Sequence, residues 1–130
     1  TRPKVLRLGG LEISRIEKIL KKKIPIEART KKIVSPGQFS LHYSPGIPVR
    51  TNVKIPKKNE AFILIKRRKI TSKDHYYLSK KSNLKQAAKN LYSLLRKIKK
   101  NRYKMIAVEK IPNIGFGKTI NDRLNRASKF

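Results

Sequence analysis

Residues 82–108, SNLKQAAKNLYSLLRKIKKNRYKMIAV, decide the fold. Ser82 or Asn83 offers a side-chain acceptor that can cap a helix. From Leu84 the apolar residues Leu84, Ala87, Ala88, Leu91, Tyr92, Leu94, Leu95 and Ile98 share one arc when turned by about 100° per residue. Lys85, Lys89, Arg96, Lys97 and Lys100 take the other arc, which makes them the wet face of a packed helix running to about Lys100. Met105–Val108 then gives a short, continuous apolar run, as expected of a strand covered on both faces. A helix feeding such a strand is the second half of a strand–helix–strand unit, with parallel strands and a right-handed crossover.

The neighbouring segments supply the rest. Phe62–Ile65 is a second continuous apolar run and reads as a buried strand. Val49–Val53 alternates apolar and polar residues, and His75–Leu78 is a weaker strand suited to an edge. Beyond Val108, Pro112, Gly115 and Gly117 form a tight strand-to-helix turn, and Ile120, Leu124 and Ala127 give one face of a last helix. The order β-β-β-α-β-α over residues 49–130 predicts a small three-layer α/β domain.

Upstream the pattern changes. Residues 24–48 hold Pro25, Pro36, Pro45 and Pro48 with Gly37 and Gly46, keep neither period, and read as a long linker. Phe39, Leu41, His42 and Tyr43 cluster inside it, more side-chain chemistry than a tether uses. Residues 1–23 read as an extended segment at Val5-Leu6, a turn at Gly9-Gly10, and a helix carrying Ile13, Ile16, Ile19 and Leu20. Glu12 and Glu17 stand early in it and Lys21–Lys23 late, in the sense that suits the helix dipole, and Pro25 is expected to close it. One helix cannot bury that stripe alone, so the stripe is expected to lie bare.

Composition narrows the function. The chain has 130 residues with 35 Lys+Arg against 7 Asp+Glu, a formal net charge of +28 that points to an anionic partner, nucleic acid first. The 24 Lys, 11 Arg, 16 Ile and 8 Asn are also what AT-rich codons supply, and the aromatics do not interleave with the cations as stacking platforms do. No cysteine is present, which excludes disulfides, thiol catalysis and thiolate-held zinc or iron–sulfur centres. No apolar run approaches the ~20 residues that span a bilayer, and TRPKVLRLGG is no secretory leader, so the expected location is the cytoplasm. Thr1 in place of Met suits a processed or partial chain.

Three catalytic patterns fail on the residues present. Gly117-Lys118-Thr119 lacks the glycine five positions before Gly117, where Pro112 has no N–H for a phosphate. His42 and His75 are the only histidines, and Asp74 beside His75 would point to the opposite face of a strand, so no metal site is expected. No G-x-S-x-G elbow supports a Ser/His/Asp triad, and the sequence gives no complete catalytic site.

The linker carries a resemblance. Ser35-Pro36-Gly37-Gln38-Phe39-Ser40-Leu41-His42-Tyr43-Ser44-Pro45 is similar to the SPGM-x-[YS]-x-HYAP linker of the two-domain threonylcarbamoyl-AMP synthases. The likeness continues through Pro48-Val49-Arg50-Thr51-Asn52, Glu60-Ala61-Phe62, Asn83-Leu84, Ala87-Ala88 and Asn90-Leu91. It ends in Ile111-Pro112, Gly115-Phe116-Gly117, Ile120-Asn121-Asp122-Arg123-Leu124 and Arg126-Ala127. At the front, Pro3-Lys4-Val5-Leu6-Arg7-Leu8-Gly9 resembles the P-x-x-L-R-P-G segment that closes the family's YrdC-like catalytic domain.

The resemblance implies three parts: 1–23 the tail of a YrdC-like domain, 24–48 the interdomain linker, and 49–130 a C-terminal Rossmann-like domain. It implies a part in making threonylcarbamoyl-AMP and pyrophosphate from ATP, threonine and bicarbonate, for threonylcarbamoyladenosine in tRNA. The chain would act as lid and docking module for the ATP/threonine site and be inactive without the catalytic domain. Its partners would be that domain, in cis or on a separate chain, and the nucleotide or threonylcarbamoyl-AMP at the linker, with tRNA held non-specifically. ATP and Mg would be substrate of the full enzyme, and no cofactor would reside in this chain. By match to the family's motif, Arg7, Ser40, His42 and Tyr43 would contact nucleotide, with Ser35, Pro36, Gly37 and Pro45 shaping the linker. Leu8 replaces the motif's Pro, Gln38 its Met, and Ser40 an aromatic often found there, which removes any stacking on adenine from that position. A reading from a different class is a small basic RNA-binding protein holding phosphates through its lysines.

Overall fold

A computed structural model describes residues 2–27 and 44–128 of the chain. Chain order is α1 (Ile13–Leu20), β1 (Val49–Arg50), β2 (Ala61–Leu64), β3 (His75–Tyr77), α2 (Leu84–Lys100), β4 (Ile106–Val108) and α3 (Phe116–Ala127). The strands form one parallel sheet in the order β1-β4-β2-β3, with Phe62 opposite both His75 and Ala107. The α/β class, the β-β-β-α-β-α order of the C-terminal domain and the edge position of β3 are as the sequence predicts.

Burial explains the order. Every residue of β2 and β4 is buried, the position their unbroken apolar runs demand, and they sit at the sheet's centre. Ala61, Ile63, Ile106 and Val108 share one cluster with Ala87, Leu91, Leu95 and Ile98 of α2 and with Ile120, Leu124 and Ala127 of α3. Phe62, Leu64 and Ala107 face the other way, where Val53, Tyr77 and the Arg68 guanidinium, 5.6 Å from the Phe62 ring centre, cover them. The third layer is therefore made of loop residues among those described, with both long helices on one side.

The strand bounds are tighter than the apolar pattern suggests. β1 stops at Arg50, because Asn52 adopts φ 58° and turns the chain, although Val53 still donates its N–H to the Val108 carbonyl. The helix of residues 84–100 is capped by Asn83, whose side chain accepts the Gln86 N–H. α1 ends four residues earlier than a stop at Pro25 would place it. Lys21 takes the left-handed conformation at φ 51° and Lys22 donates back to the Glu17 carbonyl. Its stripe is only partly bare: Ile13 is buried and Ile16 half-buried, while Ile19 is 80% exposed.

Candidate functional site

Arg7 is the nucleotide-contact candidate that the described residues include, and two anchors flank it. Val5 donates its N–H to the Pro25 carbonyl at 2.9 Å and accepts from the Glu27 N–H at 2.8 Å, a short parallel bridge between Val5 and Ile26. On the other side the Gly9 carbonyl accepts from the Thr119 hydroxyl at 3.1 Å. The exposed Arg7 thus stands between the entrance of the linker and helix α3. Pro45 is buried where the chain re-enters the domain. Ser35, Pro36, Gly37, Ser40, His42 and Tyr43 lie outside the described residues.

The polar residues carried by the resemblance turn out to hold the scaffold. Arg50 donates from Nε and Nη2 to the two Glu60 oxygens at 2.8 and 2.7 Å, and the Lys57 N–H donates to the same carboxylate at 2.7 Å. That fork holds the nearly buried Glu60 carboxyl below its ordinary range and holds Arg50 more firmly protonated. Asn90 donates to the Leu78 carbonyl at 2.9 Å, and Asn121 to the Ile111 carbonyl at 3.1 Å. Arg123 reaches the Ala88 carbonyl at 3.0 Å while its guanidinium lies 5.0 Å from the Tyr92 ring centre, and Arg126 pairs with Asp122 at 3.1 Å. Apart from Arg126–Asp122, which lies within α3, each bond satisfies a backbone or charged group that would otherwise be stranded where elements meet.

Glu109 is a support that the sequence reading did not single out. It accepts the Ile65 N–H, and its other oxygen accepts from Arg68 at 2.8 Å, fixing the exit of β2. An acid directly after a buried strand, in a chain with 7 acids, was the available signal. Tyr103 donates to Asp74 at 2.6 Å, and burial first, that bond second, pushes its phenol upward. His75 packs edge-on against Phe62, and no group of three His, Cys, Asp or Glu side chains converges among the described residues.

The loop before α3 spends on its own carbonyls the N–H groups that a phosphate cradle would use. Gly115 makes the turn at φ 50°, the Gly117 N–H is taken by the Ile114 carbonyl at 2.8 Å, and the Lys118 N–H by the Gly115 carbonyl at 3.2 Å. Gly117 lies within the first turn of α3 rather than in the loop, and a Cβ there would meet the Pro112 carbonyl oxygen at 1.8 Å. Close backbone packing, not a ligand, demands that glycine.

The sequence profile of the family described as threonylcarbamoyl-AMP synthase, C-terminal domain, matches residues 11–129. No curated protein sequence matches the chain. Among solved structures, P. abyssi Sua5 complexed with L-threonine superposes with a TM-score of 0.75 at 24% identity, over 95% of this chain and 41% of that one. The chain thus spans less than half the length of that protein, and the superposition supports the fold.

Proposed function

The chain belongs to the threonylcarbamoyl-AMP synthase C-terminal domain family, and on that premise we propose that it is the lid and docking module of such a synthase. The full enzyme would join threonine, bicarbonate and ATP into threonylcarbamoyl-AMP and pyrophosphate, the activated group for threonylcarbamoyladenosine in tRNA. A YrdC-like catalytic domain would supply the threonine and bicarbonate sites and take up the Mg-bound nucleotide. This chain would supply Arg7 and the linker residues Ser40, His42 and Tyr43.

The geometric observation that carries the reading is the Val5–Ile26 bridge. It fixes the Arg7 segment to the linker's entrance, so a cation suited to a phosphate and the strap that would close over it move as one. The Thr119–Gly9 bond ties both to α3, the docking half.

The test is pyrophosphate release from ATP in the presence of threonine and bicarbonate. The chain alone should give no turnover, and adding a YrdC-like catalytic domain should restore it. In the restored assay Arg7→Ala should raise KM for ATP, through the loss of a charge-assisted contact. Tyr43→Ala should lower product formation while the domain stays folded. Turnover by the chain alone, or restored activity indifferent to both substitutions, would overturn the proposal.

A further inference from the structure

Two clefts of about 500 and 540 Å³ open on either side of the first turns of α2, and Gln86 lines both. The first runs between Gly9-Gly10 and Lys85, Lys89 and Phe116. The second runs between Arg67 of the β2–β3 loop, Lys80 and Ser79. No lining residue of either cleft is acidic. Neither Lys85 nor Lys89 is ion-paired among the described residues, and both are exposed, so their charge is available to a ligand.

We propose that these adjoining clefts form one groove that binds single-stranded nucleic acid. Four features favour a strand over a lone anion. The two clefts share Gln86 in their linings, so together they offer more length than one phosphate needs. Lys85 and Lys89 stand one helical turn apart, about 5–6 Å between their Cβ atoms, the scale on which phosphates recur along an extended strand. The half-buried Phe116 ring lines the first cleft and can stack a base. Gln86 Oε1 accepts from the Ser79 hydroxyl at 2.8 Å, which leaves its amide N–H groups to donate to a base or sugar. The cations on the outer arc of α2 are thus more than a solvated face: two of them rim a concavity. The inference does not depend on the synthase reading and is tested on the chain alone, with no turnover measured, so either can fail without the other.

The experiment is fluorescence anisotropy with a labelled 16-nucleotide uridine RNA across a salt series. The groove variant is Lys85→Gln/Lys89→Gln, both on exposed helix positions where glutamine has nearly lysine's propensity. Its charge-matched control is Lys22→Gln/Lys104→Gln, also exposed and away from both clefts. The groove variant should bind about five- to tenfold more weakly, with the slope of log K against log salt shallower by roughly 0.7 per lysine. The control should lose less than twofold, and circular dichroism should show both folded. Equal losses from the two variants would mean a diffuse charge effect and overturn the groove. Displacement of the RNA by inorganic phosphate or polyglutamate as readily as by unlabelled RNA would also overturn it, as a general anion site.

Discussion

The amphipathic helices α1 and α2 meet different fates. α2 has 17 residues and buries Ala87, Ala88, Leu91, Leu95 and Ile98 against the sheet and α3. α1 has 8 residues, buries Ile13 alone, and leaves Ile19 80% and Leu20 44% exposed. Amphipathicity states that a face needs cover; it does not state where the cover is. At 8 residues α1 is also shorter than the ~12–15 that make an isolated helix even marginal in water. Its order comes from polar ties instead. Glu17 accepts the Ile24 N–H at 3.0 Å and Lys23 Nζ at 3.2 Å, and Gly9 is held by Thr119.

The sharpest way to break this contrast is to truncate matched apolar residues. Leu91 is fully buried on α2, so Leu91→Ala should cost about 2–5 kcal/mol, a large share of a small domain's stability. Ile19→Ala, at a position where the methyls already meet water, should stay within about 0.5 kcal/mol. Urea denaturation followed by circular dichroism measures both. Similar losses would mean that α1 shares the cooperative core.

How much of this was legible follows from which forces are local. The buried strands, the Asn83 cap and the core face of α2 depend on residues within one or two turns of each other, and the sequence shows them. The β1 bend does not: Asn tolerates a positive φ, but VRTNV alone does not say that Asn52 takes φ 58° while Val53 still reaches Val108. The roles of Arg50, Asn90, Asn121 and Arg123 were hidden for the same reason. Their partners are backbone carbonyls or a carboxylate at element junctions, up to 35 residues away in sequence. The resemblance marked these positions without saying that they brace the scaffold. Of the candidate site, the structure places Arg7 and Pro45; Ser35, Pro36, Gly37, Ser40, His42 and Tyr43 fall in residues 28–43, outside those described.

Acid separates the two regions a second way. Glu60 and Glu17 are both held below the ordinary carboxyl range, Glu60 chiefly by Arg50 and Glu17 chiefly by the Ile24 N–H. A carboxyl depressed in the folded state lends stability that is fully present above its unfolded value and is lost as pH falls through the folded one. For Glu60 that loss should reach the whole domain, since its side chain is 2% exposed and joins β1 to the start of β2. Glu60→Gln should therefore lower the melting temperature at neutral pH and flatten its fall below about pH 4.5. Glu17→Gln, within the peripheral helix α1, should leave the melting temperature unchanged at every pH. Parallel pH profiles for the two variants would show that the regions unfold as one.

The smallest effect is at the latch between the regions. Thr119 is 4% exposed and donates its hydroxyl to the Gly9 carbonyl, the bond by which α3 holds the Arg7 segment. Thr119→Val keeps the branched shape and removes the donor. The bond's net worth is about 0.5–1.5 kcal/mol, and water can replace the donor at the half-exposed Gly9, so the domain's melting temperature should barely move. The local consequence should be larger than the global one. Val5 and Glu27 remain bonded to each other's segment, but that pair is released from α3 and opens independently of the sheet. Hydrogen exchange should then quicken at the Val5, Glu27 and α1 amides while the α2 amides keep their protection. Unchanged exchange at Val5 would show that packing around Ile13, rather than the Thr119 hydroxyl, joins the N-terminal segment to the domain.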